Sequence, residues 1–171
     1  MTETNLNLVL IGMPGAGKST VGVILAKQTA RAFVDTDVLI QTSQGRSLQA
    51  IIDRDGYTAL RKTEEDTLLG LSIHNHVIAT GGSAVYSERA MNRLKSDGIL
   101  IFLDVGLAAL VARVRDFSTR GLARRPEQSF TELFDERLTL YMKHADIVIK
   151  CDGMAQEQVC ERIIEQVREK S

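Results

Sequence analysis

One stretch near the N-terminus constrains this chain of 171 residues more than any other: residues 12–19, which read Gly-Met-Pro-Gly-Ala-Gly-Lys-Ser. The stretch matches the phosphate-binding loop pattern Gly-x-x-x-x-Gly-Lys-[Ser/Thr]. Its glycines carry no Cβ, so the backbone can adopt positive φ and turn its N–H groups toward a bound anion. Lys18 can reach the β- and γ-phosphates of a nucleotide, and Ser19 can offer its hydroxyl to Mg²⁺.

The surroundings of this loop favour the same interpretation. Residues 6–11 form a short apolar run with the length of a buried parallel strand. After the loop, Val21, Ile24 and Leu25 follow helical spacing, and a helix N-terminus adds a favourable dipole for an anion. The alternative is a glycine turn between two core elements. We predict that ATP and Mg²⁺ are bound here, with the nucleotide held by Gly12, Gly15, Ala16, Gly17, Lys18, Ser19 and Thr20.

Length and charge narrow the class of protein. A chain of 171 residues can bury one good core and is short for two, so we expect a single domain over residues 1–171. A net charge of −1 gives no reason to expect a nucleic-acid partner. The N-terminus lacks the basic region and long apolar core of a signal peptide or membrane span, so we expect a cytoplasmic monomer without a membrane partner. Cys151 and Cys160 are too few for a disulfide framework and should be reduced thiols.

Two carboxylates follow the second predicted strand. Residues 32–34 are a short strand candidate that ends in Asp35-Thr36-Asp37. Residues i and i+2 of a strand face the same side, so both carboxylates would emerge beyond its carboxyl end, where ligands of parallel sheets sit. If this strand lies beside the first one, Asp35 comes near a metal at Ser19, and Asp37 points toward an acceptor. The alternative is a helix N-cap, which Asp suits.

Three later features could each be functional or merely structural. Arg61 has Glu64 and Glu65 at i+3 and i+4, which could aim its guanidinium or form a surface ion pair. Gly81 and Gly82 end the third strand candidate and would permit close approach of backbone to a ligand, or form a tight turn. The arginine-rich stretch, about residues 115–128, could be a lid that closes on a nucleotide or a solvated loop; it contains Arg115, Arg120, Arg124 and Arg125.

Five short apolar strands alternate with helical patterns along the chain. This alternation predicts an α/β protein with a five-stranded parallel sheet in a three-layer α/β/α arrangement, the architecture of nucleotide kinases. The phosphate loop, the two aspartates and the glycine pair all follow strands. They should therefore meet at one edge of the sheet.

The order of these motifs resembles the shikimate kinase family. The phosphate loop is followed by Phe-Val-Asp-Thr-Asp at residues 33–37, Gly56 with Arg61 and Glu64, Thr-Gly-Gly at 80–82, an arginine lid, and Arg137 four residues before Tyr141. The similarity covers nearly the whole chain. The resemblance implies a P-loop kinase fold like that of nucleoside-monophosphate kinases, with a mobile lid at about 115–128 and substrate-binding helices at about 35–70.

The resemblance also implies roles for individual residues. Lys18, Ser19 and Asp35 would serve ATP and Mg²⁺, and Arg120 would be the lid arginine. Asp37 would orient the acceptor hydroxyl, so that Lys18, Asp37 and Arg120 form the catalytic set. The residues that would hold shikimate are Asp37, Arg61, Gly81, Gly82 and Arg137.

The chain departs from the family pattern at several positions. Ser83 stands where a third glycine is usual, and the lid reads Arg-Gly-Leu from Arg120 instead of Arg-Pro-Leu, with a second arginine-proline pair at Arg125. The leading hypothesis is an ATP-dependent kinase for the 3-hydroxyl of shikimate. The alternatives are a kinase for another small hydroxy acid such as gluconate, and a module that senses ATP or shikimate without catalysis.

Overall fold

The computed structural model describes residues 5–114 and 119–170, which are organised around a parallel sheet of five strands. The strands are Asn7–Ile11 (β1), Ala32–Asp35 (β2), His76–Ala79 (β3), Gly98–Asp104 (β4) and Ile147–Lys150 (β5). Their order across the sheet is β2-β3-β1-β4-β5, and every neighbouring pair is parallel. The predicted five-stranded parallel sheet is confirmed.

Helices make the connections between the strands. Within the described ranges they are α1 (Lys18–Gln28), α2 (Thr36–Gln44), α3 (Leu48–Asp55), α4 (Tyr57–Leu69), α5 (Glu88–Ser96), α6 (Leu107–Arg113), α7 (Phe130–His144) and α8 (Gln156–Lys170). A short 3₁₀ turn, Ala84–Tyr86, precedes α5. None of these helices has the length and apolar character that crossing a membrane requires.

The central strand explains why the chain must cover its sheet on both faces. All five residues of β1 are buried, although successive side chains of a strand point to opposite faces. Such a strand is stable only with helices packed on either side of it. The predicted layered α/β arrangement follows from this burial.

The strand order excludes the arrangement in which β2 lies directly beside β1, although the expected meeting of the loops at one edge remains. β3, and not β2, lies beside β1, because β3 pairs with both of them. The loops that follow β1, β2 and β3 nevertheless leave the same edge of the sheet, as all three strands are parallel. That edge carries the phosphate loop, the Asp35–Asp37 turn and the Gly81–Gly82 turn.

A second, smaller apolar cluster supports this edge. Ile40, Ile51 and Leu60 of helices α2, α3 and α4 pack together with Ala123, which belongs to the arginine-rich stretch. Ser47 caps α3, because its hydroxyl accepts a hydrogen bond from the Ala50 N–H group. The described part of the arginine-rich stretch is therefore packed against the three helices.

Candidate active site

The phosphate loop has the backbone conformation that its glycines predict. Gly15 and Gly17 have φ of 84° and 91°, in the left-handed region that glycine adopts without strain. The Lys18 side chain folds back over the loop, and its Nζ donates hydrogen bonds to the carbonyl oxygens of Gly12 at 2.7 Å and Met13 at 2.8 Å. The ammonium group is thus held at the mouth of the loop.

Burial governs the charge of this lysine. Only 8% of Lys18 is exposed, and desolvation lowers the pKa of its ammonium group to about 8, against the attraction of Asp37 and Asp35. The group still carries its charge at neutral pH. Its weak hydration makes it a strong partner for a phosphate oxygen, because electrostatic attraction is larger where water is excluded.

Ser19 and Asp35 come together as the sequence predicts for a metal site. The Ser19 hydroxyl donates to Asp35 Oδ2 at 2.5 Å, although β2 is not adjacent to β1. The other oxygen of Asp35 accepts from the N–H groups of Asp37 at 2.9 Å and Val38 at 3.3 Å. Asp35 is therefore also the N-cap of α2, as the alternative interpretation predicts, and its role as a metal ligand stays a prediction.

Asp37 stands two residues after Asp35, in the first turn of α2. Its Oδ1 atom is buried and has no hydrogen-bond partner among the described residues. Burial raises the pKa of its carboxyl group, while Lys18 opposes the rise and Asp35 adds to it. A buried carboxylate oxygen without a partner is suited to accept a hydrogen bond from a substrate hydroxyl.

Glu64 is a member of this site that the sequence analysis named only as a neighbour of Arg61 and gave no role in the site. It is 4% exposed, and its Oε2 accepts a hydrogen bond from the hydroxyl of Ser83. Burial, reinforced by Asp37 and opposed by Arg137, raises the pKa of Glu64 to about 8. Its position three residues after Arg61 on α4 was visible in the sequence, but an i, i+3 spacing cannot show that the side chain turns inward.

Gly81 and Gly82 leave room for these buried groups. A Cβ added to Gly81 would overlap Glu64 Oε1 and lie 2.8 Å from Asp37 Oδ1. At Gly82 the added atom would lie 2.7 Å from Arg137 Nη1 and 2.8 Å from the Cδ atom of Pro14. Both glycines are therefore required by close approach of other side chains.

Arg61 and Arg137 come together although they belong to different helices. The Nη2 atom of each donates to the carbonyl oxygen of Ala123, at 3.3 Å from Arg61 and 3.0 Å from Arg137. Arg137 is 1% exposed, and its guanidinium is among the most deeply buried groups of the chain. In the described part of the chain, Arg61 forms no ion pair with Glu64 or Glu65, so it is not one half of a surface pair.

The arginine-rich stretch contributes differently at each of its arginines. Arg120 is exposed and lines the cavity described next. Arg124 donates to the Gln128 carbonyl at 2.8 Å, and Arg125 lies 3.5 Å from the Glu136 carboxylate. Arg115 lies outside the described residues. Of the three described arginines, Arg120 is the one that faces the site.

A small cavity joins most of the predicted residues. It has a volume of about 50 Å³ and lies between the phosphate loop, helices α2 to α4 and the arginine-rich stretch. Its lining includes Pro14, Lys18, Asp37, Glu64, Gly82, Ser83, Arg120, Ala123 and Arg137. We call this the acid cavity, because three of its side chains are cationic and would suit a ligand that is an acid.

A larger cavity lies on the other side of the phosphate loop. Its volume is about 500 Å³, and its walls include the predicted residues Gly15, Ala16 and Gly17 together with Arg113 and Cys151. Arg113 was not singled out by the sequence, and its Nη1 donates to the Gly15 carbonyl at 3.2 Å. Thr20 is exposed beside Ser19 and lines neither cavity.

Comparison with known proteins decides the family. A sequence model of the shikimate kinase family matches residues 14–168, nearly the whole chain. The chain belongs to the shikimate kinase family. Its similarity to individual shikimate kinases is just as extensive. The shikimate kinase of Thermodesulfovibrio yellowstonii is 36% identical over 163 residues, which cover 94% of both chains. The shikimate kinase of Aquifex aeolicus is 36% identical over 160 residues, which cover 93% of this chain and 95% of its own.

Solved structures of the shikimate kinase family agree with this assignment. The shikimate kinase from Acinetobacter baumannii in complex with shikimate superposes with a TM-score of 0.90 at 30% identity, covering 99% of this chain and 96% of its own. The Aquifex aeolicus enzyme superposes with a TM-score of 0.83, covering 96% and 98%. A deoxyadenosine kinase from M. mycoides, at 14% identity and a TM-score of 0.63, over 97% of this chain and 100% of its own, shares the fold alone.

Proposed function

We propose that this chain transfers the γ-phosphoryl group of ATP to the 3-hydroxyl of shikimate, giving shikimate 3-phosphate and ADP in aromatic amino acid biosynthesis. One observation carries the choice of an acid as acceptor. Arg61 and Arg137 reach from separate helices to a single oxygen, the carbonyl of Ala123, beside Lys18 and Asp37. Two convergent guanidinium groups match a carboxylate, which accepts paired charge-assisted hydrogen bonds.

The transfer itself would use Lys18, Asp37 and Arg120, which also line the acid cavity. Phosphoryl transfer depends on positioning and on stabilising charge, and needs little covalent chemistry from the protein. Asp37 would accept the hydrogen bond of the acceptor hydroxyl and orient its oxygen toward ATP. Lys18 would bind the γ-phosphoryl oxygens, and Arg120 would add positive charge from the arginine-rich stretch.

The residues present also fit a magnesium ion. Ser19 and Asp35 place a hydroxyl oxygen and a carboxylate oxygen in contact, and oxygen ligands are those that Mg²⁺ prefers. We propose that these two residues hold the ion of an ATP complex. When bound, Mg²⁺ would neutralise part of the phosphate charge.

The nucleotide would occupy the larger cavity. Its triphosphate would follow the N–H groups of the phosphate loop, and its base would reach the side lined by Arg113 and Cys151.

The position of Ser83 bears on the identity of the acid. Its side chain is 4% exposed and is directed to Glu64, so its hydroxyl lies against a protein carboxyl group and not in the middle of the acid cavity. This arrangement supports shikimate as the acceptor despite the missing third glycine.

An assay of ADP release tests the proposal. ATP with Mg²⁺ should be consumed rapidly when shikimate is added and slowly when gluconate is added, and ³¹P NMR should show phosphate on the 3-hydroxyl. Turnover with gluconate alone would assign a different hydroxy acid. ATP binding without turnover on either acid would contradict catalysis and would favour the alternative that the protein is a sensing module.

The same proposal covers the organisation of the protein. We propose one kinase domain over residues 1–171 that acts as a cytoplasmic monomer, with a lid at about 115–128 and substrate-binding helices at about 35–70. Size-exclusion chromatography with light scattering during turnover would detect a dimer.

A further inference from the structure

The ring of Tyr86 lies against both arginines that donate to the Ala123 carbonyl. Tyr86 ends the 3₁₀ turn that follows Gly81, Gly82 and Ser83. The guanidinium carbon of Arg61 is 3.7 Å from the centre of the ring, and that of Arg137 is 5.5 Å away. Both distances fall within the range of about 6 Å over which the face of an aromatic ring attracts a cation.

The hydroxyl of Tyr86 fixes the plane of this ring. It donates to Glu136 Oε1 at 2.6 Å. Glu136 directly precedes Arg137 on α7, and its other oxygen accepts from Gln128 Nε2 at 3.0 Å. Burial, and then the hydrogen bond to Glu136, raises the pKa of the Tyr86 phenol, which keeps the group a hydrogen-bond donor at neutral pH.

The two guanidinium groups need such a support. Their charges repel each other where they meet, and the Nε atom of each is buried without a hydrogen-bond partner in the described part of the chain. The Nη2 atom of each donates a hydrogen bond to the same carbonyl oxygen. The face of the Tyr86 ring is thus a second contact that the two groups share.

We propose that Tyr86 is a positioning residue for the substrate carboxylate. Its ring holds Arg61 and Arg137 in convergent orientations, and Glu136 holds the ring. The inference rests on the proposed function, because it assigns the two arginines to the acid end of the acceptor.

Three variants test this role in the full chain. Tyr86→Leu removes the ring face and should raise the KM for shikimate roughly tenfold, within the range of about 2- to 30-fold that one cation–π contact supports, while the KM for ATP stays within about twofold. Tyr86→Phe keeps the ring and should change the KM for shikimate less than about threefold. Phe134→Leu makes a similar reduction of a half-buried ring on α7 and should leave both KM values unchanged.

An uncharged analogue separates positioning from packing. Shikimate amide lacks the carboxylate, so the wild-type protein should prefer shikimate by a large ratio of kcat/KM, and Tyr86→Leu should reduce that ratio about tenfold. A ratio unchanged in Tyr86→Leu would overturn the proposal, as would equal losses in Tyr86→Phe and Tyr86→Leu. If Tyr86→Leu does not fold, an unchanged ratio in Glu136→Gln, which weakens the anchor of the ring, would overturn it instead. Wild-type protein that shows no turnover with shikimate would refute the proposed function, a result distinguishable from all of these.

Discussion

Replacing Gly82 with alanine tests the geometry of the acid cavity most directly. The new methyl group would lie 2.7 Å from Arg137 Nη1 and 2.8 Å from Pro14 Cδ. Ordinary contact begins at 3.4 Å, so each gap is short by about 0.6 to 0.7 Å. The backbone at Gly82 is not in the left-handed region, so the effect comes from contact and not from strain.

The expected magnitudes follow from which neighbour can move. The Pro14 ring is rigid and belongs to the phosphate loop, so the Arg137 guanidinium must give way. Overpacking of this kind costs about 1–3 kcal/mol of unfolding free energy. A displacement of about 0.7 Å would also lengthen hydrogen bonds from Arg137 beyond about 3.2 Å and lose about 1.5–3 kcal/mol of charge-assisted binding. The KM for shikimate should rise roughly 10- to 100-fold.

Urea denaturation and a coupled assay of ADP release measure the two effects. Gly70→Ala is a matched control, because Gly70 is exposed in a right-handed helical conformation and its added atom stays at 3.3 Å or more from its neighbours. Adding Pro14→Ala to Gly82→Ala removes the ring atoms on one side of the methyl group and should restore part of the affinity. Wild-type stability and KM in Gly82→Ala would refute the reasoning, since they would mean that Arg137 does not lie against Gly82.

Three further outcomes are expected. The pKa of Glu64 is about 8 in the folded state, above the ordinary 4.5. The burial of its carboxyl group therefore costs increasing stability as pH rises between these values, up to about 5 kcal/mol above pH 8. Glu64→Gln should gain in stability relative to wild type between pH 5 and pH 9 in urea titrations. Ser19→Ala should raise the Mg²⁺ concentration needed for half-maximal ADP release, and Asp35→Ala should do so while also losing about 1 kcal/mol of stability as the cap of α2. Ser83→Gly should keep turnover of shikimate and lose about 1–2 kcal/mol of unfolding free energy, because Glu64 loses its hydrogen-bond donor.

The fold and the phosphate end of the site could be predicted because their signals are local. Strand, glycine loop and helix follow one another in sequence, so the position of Lys18 follows from the motif alone. Asp35 and Asp37 were visible as a pair at the end of a strand. Their roles as cap and candidate ligand could be stated but not separated, and the structure shows that Asp35 has the contacts for both.

The part of the site formed by the two arginines could not be predicted from local sequence, because it depends on packing between distant elements. Nothing local shows that Arg61 and Arg137, 76 positions apart in the printed sequence, meet at one carbonyl. Without the family resemblance, the residues around Arg61 favoured a surface ion pair. The inward turn of Glu64 and the position of the Tyr86 ring also depend on tertiary contacts, which alternation and spacing do not encode.

The Ala123 carbonyl between the two guanidinium groups has a practical consequence for inhibitor discovery. A compound that binds between the two Nη2 atoms must displace this peptide group, and the cavity beside it is only about 50 Å³. Crystals grown before a fragment is introduced should therefore resist carboxylate-bearing hits. Co-crystallisation, in which the segment around Ala123 can settle around the compound, should reveal binders that soaking would miss.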